Sequence, residues 1–76
     1  MISELERVVL MAAVPREGLE PGDVGTVVHV YQDGEAVEVD FTTLDGHTVA
    51  VITVEASHVR PVGSRDITHA RRLAHP

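Results

Sequence analysis

The sequence predicts an all-β fold: a small five-stranded barrel wound as a meander, with a short C-terminal helical tail. Three observations predict it. Apolar residues recur with a period of two, as on a half-buried strand. The pattern is clearest where Val37, Val39 and Phe41 alternate with Glu38 and Asp40. Asp-Gly stands between such runs at Asp33-Gly34 and again at Asp45-Gly46, the strongest short-range sign of a hairpin. The chain has 76 residues and no cysteine, so one small core forms without disulfides or thiolate metal sites. Short strands joined mainly by hairpins bury one face by curling up.

Each element has its own signal. Ser3 and Glu6 have the spacing of a capping box before the first strand. Arg7–Val14 is aliphatic or β-branched after its first residue and is ended by Pro15, which reads as a mostly covered strand. Pro15–Gly18 is a loop, and Leu19 plugs one end of the core. Glu20-Pro21-Gly22-Asp23 suits a type II turn, with Pro21 at its second position and Gly22 at the one that needs positive φ. Gly25 allows a bend or bulge as the second strand, Gly25–Tyr31, begins. There Thr26, Val28 and Val30 point one way, and Val27, His29 and Tyr31 the other. Ala36–Phe41 is the third strand and Thr48–Val54 the fourth. Glu55–His58 is a turn, read as one turn of 3₁₀ helix. Val59–Val62 is a short fifth strand that Pro61 confines to an edge or end.

The barrel occupies residues 1–62, and a basic tail follows over 63–76. Gly63-Ser64-Arg65 is a hinge. Asp66 suits the N-cap of a helix over Ile67–Ala74, with a narrow apolar stripe of Ile67, Ala70, Leu73 and Ala74, and with Arg71 and Arg72 near its C-terminus. A helix so short is unstable alone, so the tail is disordered or folds against something.

Charge is unevenly placed. The net charge is -6. Arg7 and Arg16 are the only bases before Arg60, whereas Arg60, Arg65, Arg71 and Arg72 face Asp66 alone. An acidic body repels phosphate, which argues against nucleic acid as the main ligand, and it suits a basic protein partner. The early apolar run Val8–Val14 follows acids rather than a basic segment and is too short to span a bilayer, so no membrane association is expected. Lack of cysteine fits a reducing, cytoplasmic setting.

No constellation of catalytic or metal-binding residues emerges. His29, His47, His58, His69 and His75 lack the spacings that bring two ligands together on a strand or helix. Ser57 and His58 are adjacent, which turns side chains apart rather than together. There is no nucleophile elbow and no phosphate loop. Glu38 and Asp40 share one strand face, where the outer side of an amphipathic strand carries charge. Tyr31 and Phe41 are the only aromatics, too few for a polyproline groove or a base-stacking platform. The expectation is a non-enzymatic chain without cofactor or metal.

Several stretches together carry a resemblance. They are Val8-Val9-Leu10, Gly18-Leu19-Glu20-Pro21-Gly22-Asp23-Val24-Gly25-Thr26-Val27-Val28, Tyr31-Gln32-Asp33-Gly34, Val37-Glu38-Val39-Asp40-Phe41 and Asp45-Gly46. The chain resembles a bacterial family of very short proteins known only as a domain of unknown function, over about Leu5 to Pro61. The run Gly22–Val28 is also similar to the loop and strand of KOW-type and nitrile-hydratase-β-type SH3-like barrels, which implies an SH3-like barrel here. Family members often stand beside genes for small proteins read as toxins, which implies an antitoxin-like role with the neighbouring toxin as partner. The family supplies no catalytic residues to carry over.

The leading expectation is therefore a protein-interaction module. Glu35, Glu38 and Asp40 would meet a basic partner, and Ile67, Ala70 and Leu73 would anchor the tail helix with Arg71 and Arg72 at its rim. The alternatives are a KOW-like nucleic-acid or ribosome-associated module, which the acidic loops disfavour, and an accessory domain of a metalloenzyme. The small core also leaves homodimer formation through a strand edge open.

Overall fold

The computed structural model describes residues 2–74. Five strands form one antiparallel sheet in the order β4-β3-β2-β1-β5. They are β1 (Arg7–Leu10), β2 (Val24–Val30), β3 (Ala36–Thr42), β4 (Thr48–Glu55) and β5 (Val59–Pro61). The described residues contain no α-helix, only 3₁₀ turns at Pro15–Glu17, Gln32–Gly34 and Ala56–His58. β1 to β4 form the expected meander, but β5 crosses over to pair with β1 instead of following β4. Hydrogen-bonded closure of a barrel is not found, because β4 and β5 are the sheet's two edges and do not pair with each other.

The sheet is nevertheless curled. Its edge strands are four strand spacings apart, about 19 Å if the sheet were flat. Yet they are joined only by the 3₁₀ turn Ala56–His58, which rises about 2 Å per residue. The concave side holds one core of Val8, Leu10, Leu19, Val27, Val37, Val39, Phe41, Val54 and Val59, with Ile2, Val14, Val30, Val49 and Ile52 packed against it. All five strands contribute to it.

β1 is shorter than the expected Arg7–Val14. Leu10 is its last paired residue, receiving a hydrogen bond from Gly22 N–H (2.8 Å) and donating its own N–H to Asp23 O (2.8 Å). Met11 N–H then turns to His58 O (2.7 Å), and the chain leaves the ladder. Val14 meets Leu19 in an isolated bridge, which folds the loop back and drops Leu19 into the core. The turn at Glu20–Asp23 forms as expected: Asp23 N–H donates to Glu20 O at 3.1 Å, and Gly22 has φ 99°. Ser3 and Glu6 do bond reciprocally, with Ser3 N–H on Glu6 Oε1 (3.1 Å) and Glu6 N–H on Ser3 O (3.2 Å). They close a turn rather than open a helix, and Leu5 within it takes φ 71°.

Strict alternation fails in β2. The β2–β3 register shifts between Val27 and His29, so both Val28 and His29 lie outward and Val30 packs against the core. An extra residue in one strand moves every later side chain to the other face. Gly25 sits within the paired part of β2, opposite Phe41 and Val8, rather than at a bulge.

Candidate functional site

The convex face of β2–β3–β4 carries the expected acids. Val37, Val39 and Phe41 are buried on the concave side, so alternation sets Glu38 and Asp40 on the opposite face. Register places Glu38 between His29 and Thr53, and Asp40 between Thr26 and Val51. Around them Val28, Tyr31 and Val51 are 42, 38 and 49 % exposed. Tyr31 makes an edge-on contact with His29 at 4.6 Å between ring centroids, and its hydroxyl lies 3.5 Å from Thr53 Oγ1. His29 Nδ1 lies 3.8 Å from Glu4 Oε2.

Asp40 is the unusual member of this face. It lies on a central strand, and its Oδ1 is shielded from solvent with no hydrogen-bond partner among the described residues. A shielded, unpaired carboxylate oxygen costs free energy that a cationic donor would recover. Among the described residues no cation pairs with Glu38 or Asp40. Glu35 is placed apart: it lies in the turn before β3 with helical backbone angles, φ -81° and ψ -21°, so strand alternation does not align it with the other two.

The tail differs from expectation. Ile67–Ala74 is not helical. Asp66, expected to cap a helix, instead accepts a two-pronged bond from Arg60: Nη1 to Oδ2 at 2.9 Å and Nη2 to Oδ1 at 3.0 Å. Gly63 N–H adds a bond at 2.6 Å. The Arg60 hydrogen bond, then that of Gly63, lowers the Asp66 carboxyl to about 2. The stripe is therefore not a helix face. Ile67 is 91 % exposed, Ala70 and Arg72 are exposed, and Leu73 is half-buried. An eight-residue helix with β-branched Ile67 and Thr68 in its first turn offers little cooperative gain, so charge-assisted contacts to the body decide the path.

Arg71 supplies the second contact, and it joins what the sequence had kept separate. Its Nε donates to Asp23 Oδ1 at 2.8 Å and its Nη2 to Asp23 Oδ2 at 2.6 Å. Nη2 also reaches Gly18 O at 3.0 Å, and Nη1 lies 3.7 Å from Glu20 Oε2. The turn builds this receptor. Glu20 N–H holds Asp23 Oδ2 at 2.8 Å, and Gly18, at φ 72°, leaves its carbonyl facing the guanidinium. Burial raises the Asp23 carboxyl's affinity for a proton, but the Arg71 and Glu20 hydrogen bonds and the Arg71 charge together outweigh it. The carboxyl therefore lies below its ordinary range. No local pattern announces a pair 48 residues apart; the available signal was the split between an acidic body and a basic tail.

Tail and body enclose an open groove of about 870 Å³, lined by Val24, Phe41, Thr42, Leu44 and Val49 of the body and by Ile67–Ala74 above.

The histidines stay dispersed. His47 lies 3.2 Å from Asp45 and His58 lies 3.9 Å from Glu55, both exposed. Thr43 and then His47 bond the Asp45 carboxyl and lower it. His75 falls outside the described residues. Among the described residues, no three His, Cys, Asp or Glu side chains converge as metal ligands. Nor is any helix there long and apolar enough to cross a membrane.

No curated protein and no solved structure matches this chain. The chain belongs to the family described as Domain of unknown function (DUF4926), whose model matches residues 4–61, spanning the whole sheet and ending where the tail begins.

Proposed function

We propose that this chain is a non-enzymatic protein-interaction module of the cytoplasm, built as an SH3-like barrel, that binds and neutralises a small basic partner in the manner of an antitoxin. The observation that carries the reading is one oxygen of the half-buried Asp40 carboxylate, Oδ1, which is shielded yet unpaired among the described residues, with Glu38 and the exposed Val28, Tyr31 and Val51 around it. A partner arginine seated there would satisfy Asp40, and the apolar rim would exclude water around the pair. The strand order, the 3₁₀ turn before β5 and the curl of the sheet support the SH3-like form.

The test is co-expression with the product of the neighbouring open reading frame, followed by affinity purification and light scattering. A stable complex is expected, together with growth arrest when the neighbour is expressed alone. Truncating one member of a buried charge pair costs about 2–5 kcal/mol of binding, so Asp40→Asn should weaken the complex at least tenfold. A harmless neighbour that does not co-purify would remove the antitoxin reading. Full affinity in Asp40→Asn would remove the convex face as the contact.

A further inference from the structure

We propose that the cleft formed by Gly18, Glu20 and Asp23 is a binding site for an extended, arginine-bearing protein segment, and that the chain's own tail holds it closed by placing Arg71 there. The inference goes beyond the antitoxin reading and requires no toxin.

The site is seen with a guanidinium in it. Two parallel hydrogen bonds to Asp23, a third to the Gly18 carbonyl and the nearby Glu20 carboxylate match the fork of arginine and would be poorly served by the point charge of lysine. The cleft's carboxylate is also oriented from within the body, since the Glu20 N–H holds Asp23 Oδ2 and the Asp23 N–H closes the turn on Glu20 O. It also lies within the residues matched by the family, whereas Arg71 lies beyond them.

The tail fills this surface poorly. Its stretch from Val62 to Ala70 is exposed throughout, and Ile67 contributes almost nothing to packing. The groove between tail and sheet remains open above Val24, Phe41 and Val49. A segment carrying one arginine and neighbouring apolar side chains could reproduce the Arg71 contacts and also bury that floor. A tethered arginine competes at an effective concentration in the millimolar range. An outside segment at micromolar concentration is therefore excluded until the tail leaves, and the tail acts as a gate.

The probe is a synthetic peptide of residues 63–76, titrated by isothermal calorimetry or fluorescence anisotropy into the full chain and its variants. Arg71→Ala, with Arg71→Gln as a second form should the first lose its sheet by circular dichroism, frees the cleft. The peptide is expected to bind the Arg71 variant at least tenfold more tightly than the unaltered chain. Adding Asp23→Asn, or using a peptide with Arg71→Lys, should remove most of that gain. Equal binding to both chains, or no binding to a folded Arg71 variant, would overturn the proposal. So would binding that survives Asp23→Asn. If light scattering shows the unaltered chain to be a dimer held by exchanged tails, the gate is not internal and the proposal fails in that form.

Discussion

Gly25→Ala tests the packing that shapes the sheet. A Cβ at this position would lie 2.5 Å from Val39 Cγ1, 3.0 Å from Asp40 O and 3.0 Å from Phe41 Cδ1. Comfortable carbon contacts lie at about 3.5–4.0 Å, so all three neighbours must move. None is free to do so: Val39 and Phe41 are core residues, and Asp40 O belongs to the backbone of a strand paired on both sides. Forcing one methyl into such packing costs about 1–3 kcal/mol. The loss of backbone freedom in the unfolded chain returns less than about 1 kcal/mol. A chain of 76 residues has a total stability of about 4–11 kcal/mol, and each kcal/mol moves the midpoint of a small domain by about 4–8 °C. A fall of roughly 5–20 °C is expected in a thermal melt followed by circular dichroism. Val39→Ala removes the closest contact, so the double variant should lose less than the two single losses combined. An unchanged or raised midpoint in Gly25→Ala, or strict additivity with Val39→Ala, would refute the steric account.

Other expectations follow from particular contacts. Asp23→Asn and Arg71→Ala should show a coupling of about 1 kcal/mol in a double-mutant cycle of urea unfolding, since both side chains are more than two-thirds covered; zero coupling would mean the tail contact contributes nothing to stability. The Asp66 carboxyl is lowered in the fold, so its bond stabilises at pH above the ordinary value of 3.8 and is lost as pH falls through about 2. The Gly63 amide, which donates to it, should shift in NMR with a midpoint of about 2, and a midpoint at 3.8 would contradict the pairing with Arg60. Leu5 is 79 % exposed at φ 71°, so Leu5→Gly relieves about 1–2 kcal/mol of left-handed strain and gives back about 0.4–1 kcal/mol to the freer unfolded chain, a net gain of up to about 1 kcal/mol; a lower melting midpoint would contradict this. Asp40→Thr should stabilise the isolated chain by up to about 1 kcal/mol through loss of an unpaired charge and a gain in strand propensity, while impairing partner binding. Destabilisation would mean that Asp40 has a structural partner.

Much of the sheet was legible because its signals are local. Asp33-Gly34 announced the first hairpin, and both residues take positive φ. The second hairpin likewise turns at Gly46. Val37, Val39 and Phe41 alternate inward without interruption. The bulge that sends Val28 and His29 outward together was not legible, because Thr26–Tyr31 alternates cleanly in sequence and the extra residue is fixed by the register against β3. Glu38 and Asp40 share the outer face that their alternation with Val37, Val39 and Phe41 implies, but Glu35 falls in the turn outside that alternation, and the shielded oxygen of Asp40 depends on what its neighbouring strands cover. The helix expected over Ile67–Ala74 is absent for the same kind of reason. Asp66 and the Ile67–Ala74 stripe carry a helical signal, and two arginine forks overrule it.

By itself the sequence determined an all-β chain, the number of its strands, its two hairpins and an acidic body with a basic tail. Turn chemistry and side-chain periodicity act over a few residues, so they can be read from the chain. The tertiary structure alone decided where β1 leaves the ladder, that the sheet curls without hydrogen-bonded closure, and that Arg71 returns to Asp23. Those outcomes rest on groups brought together from distant positions, and their energies exist only once the sheet has placed them within hydrogen-bond reach.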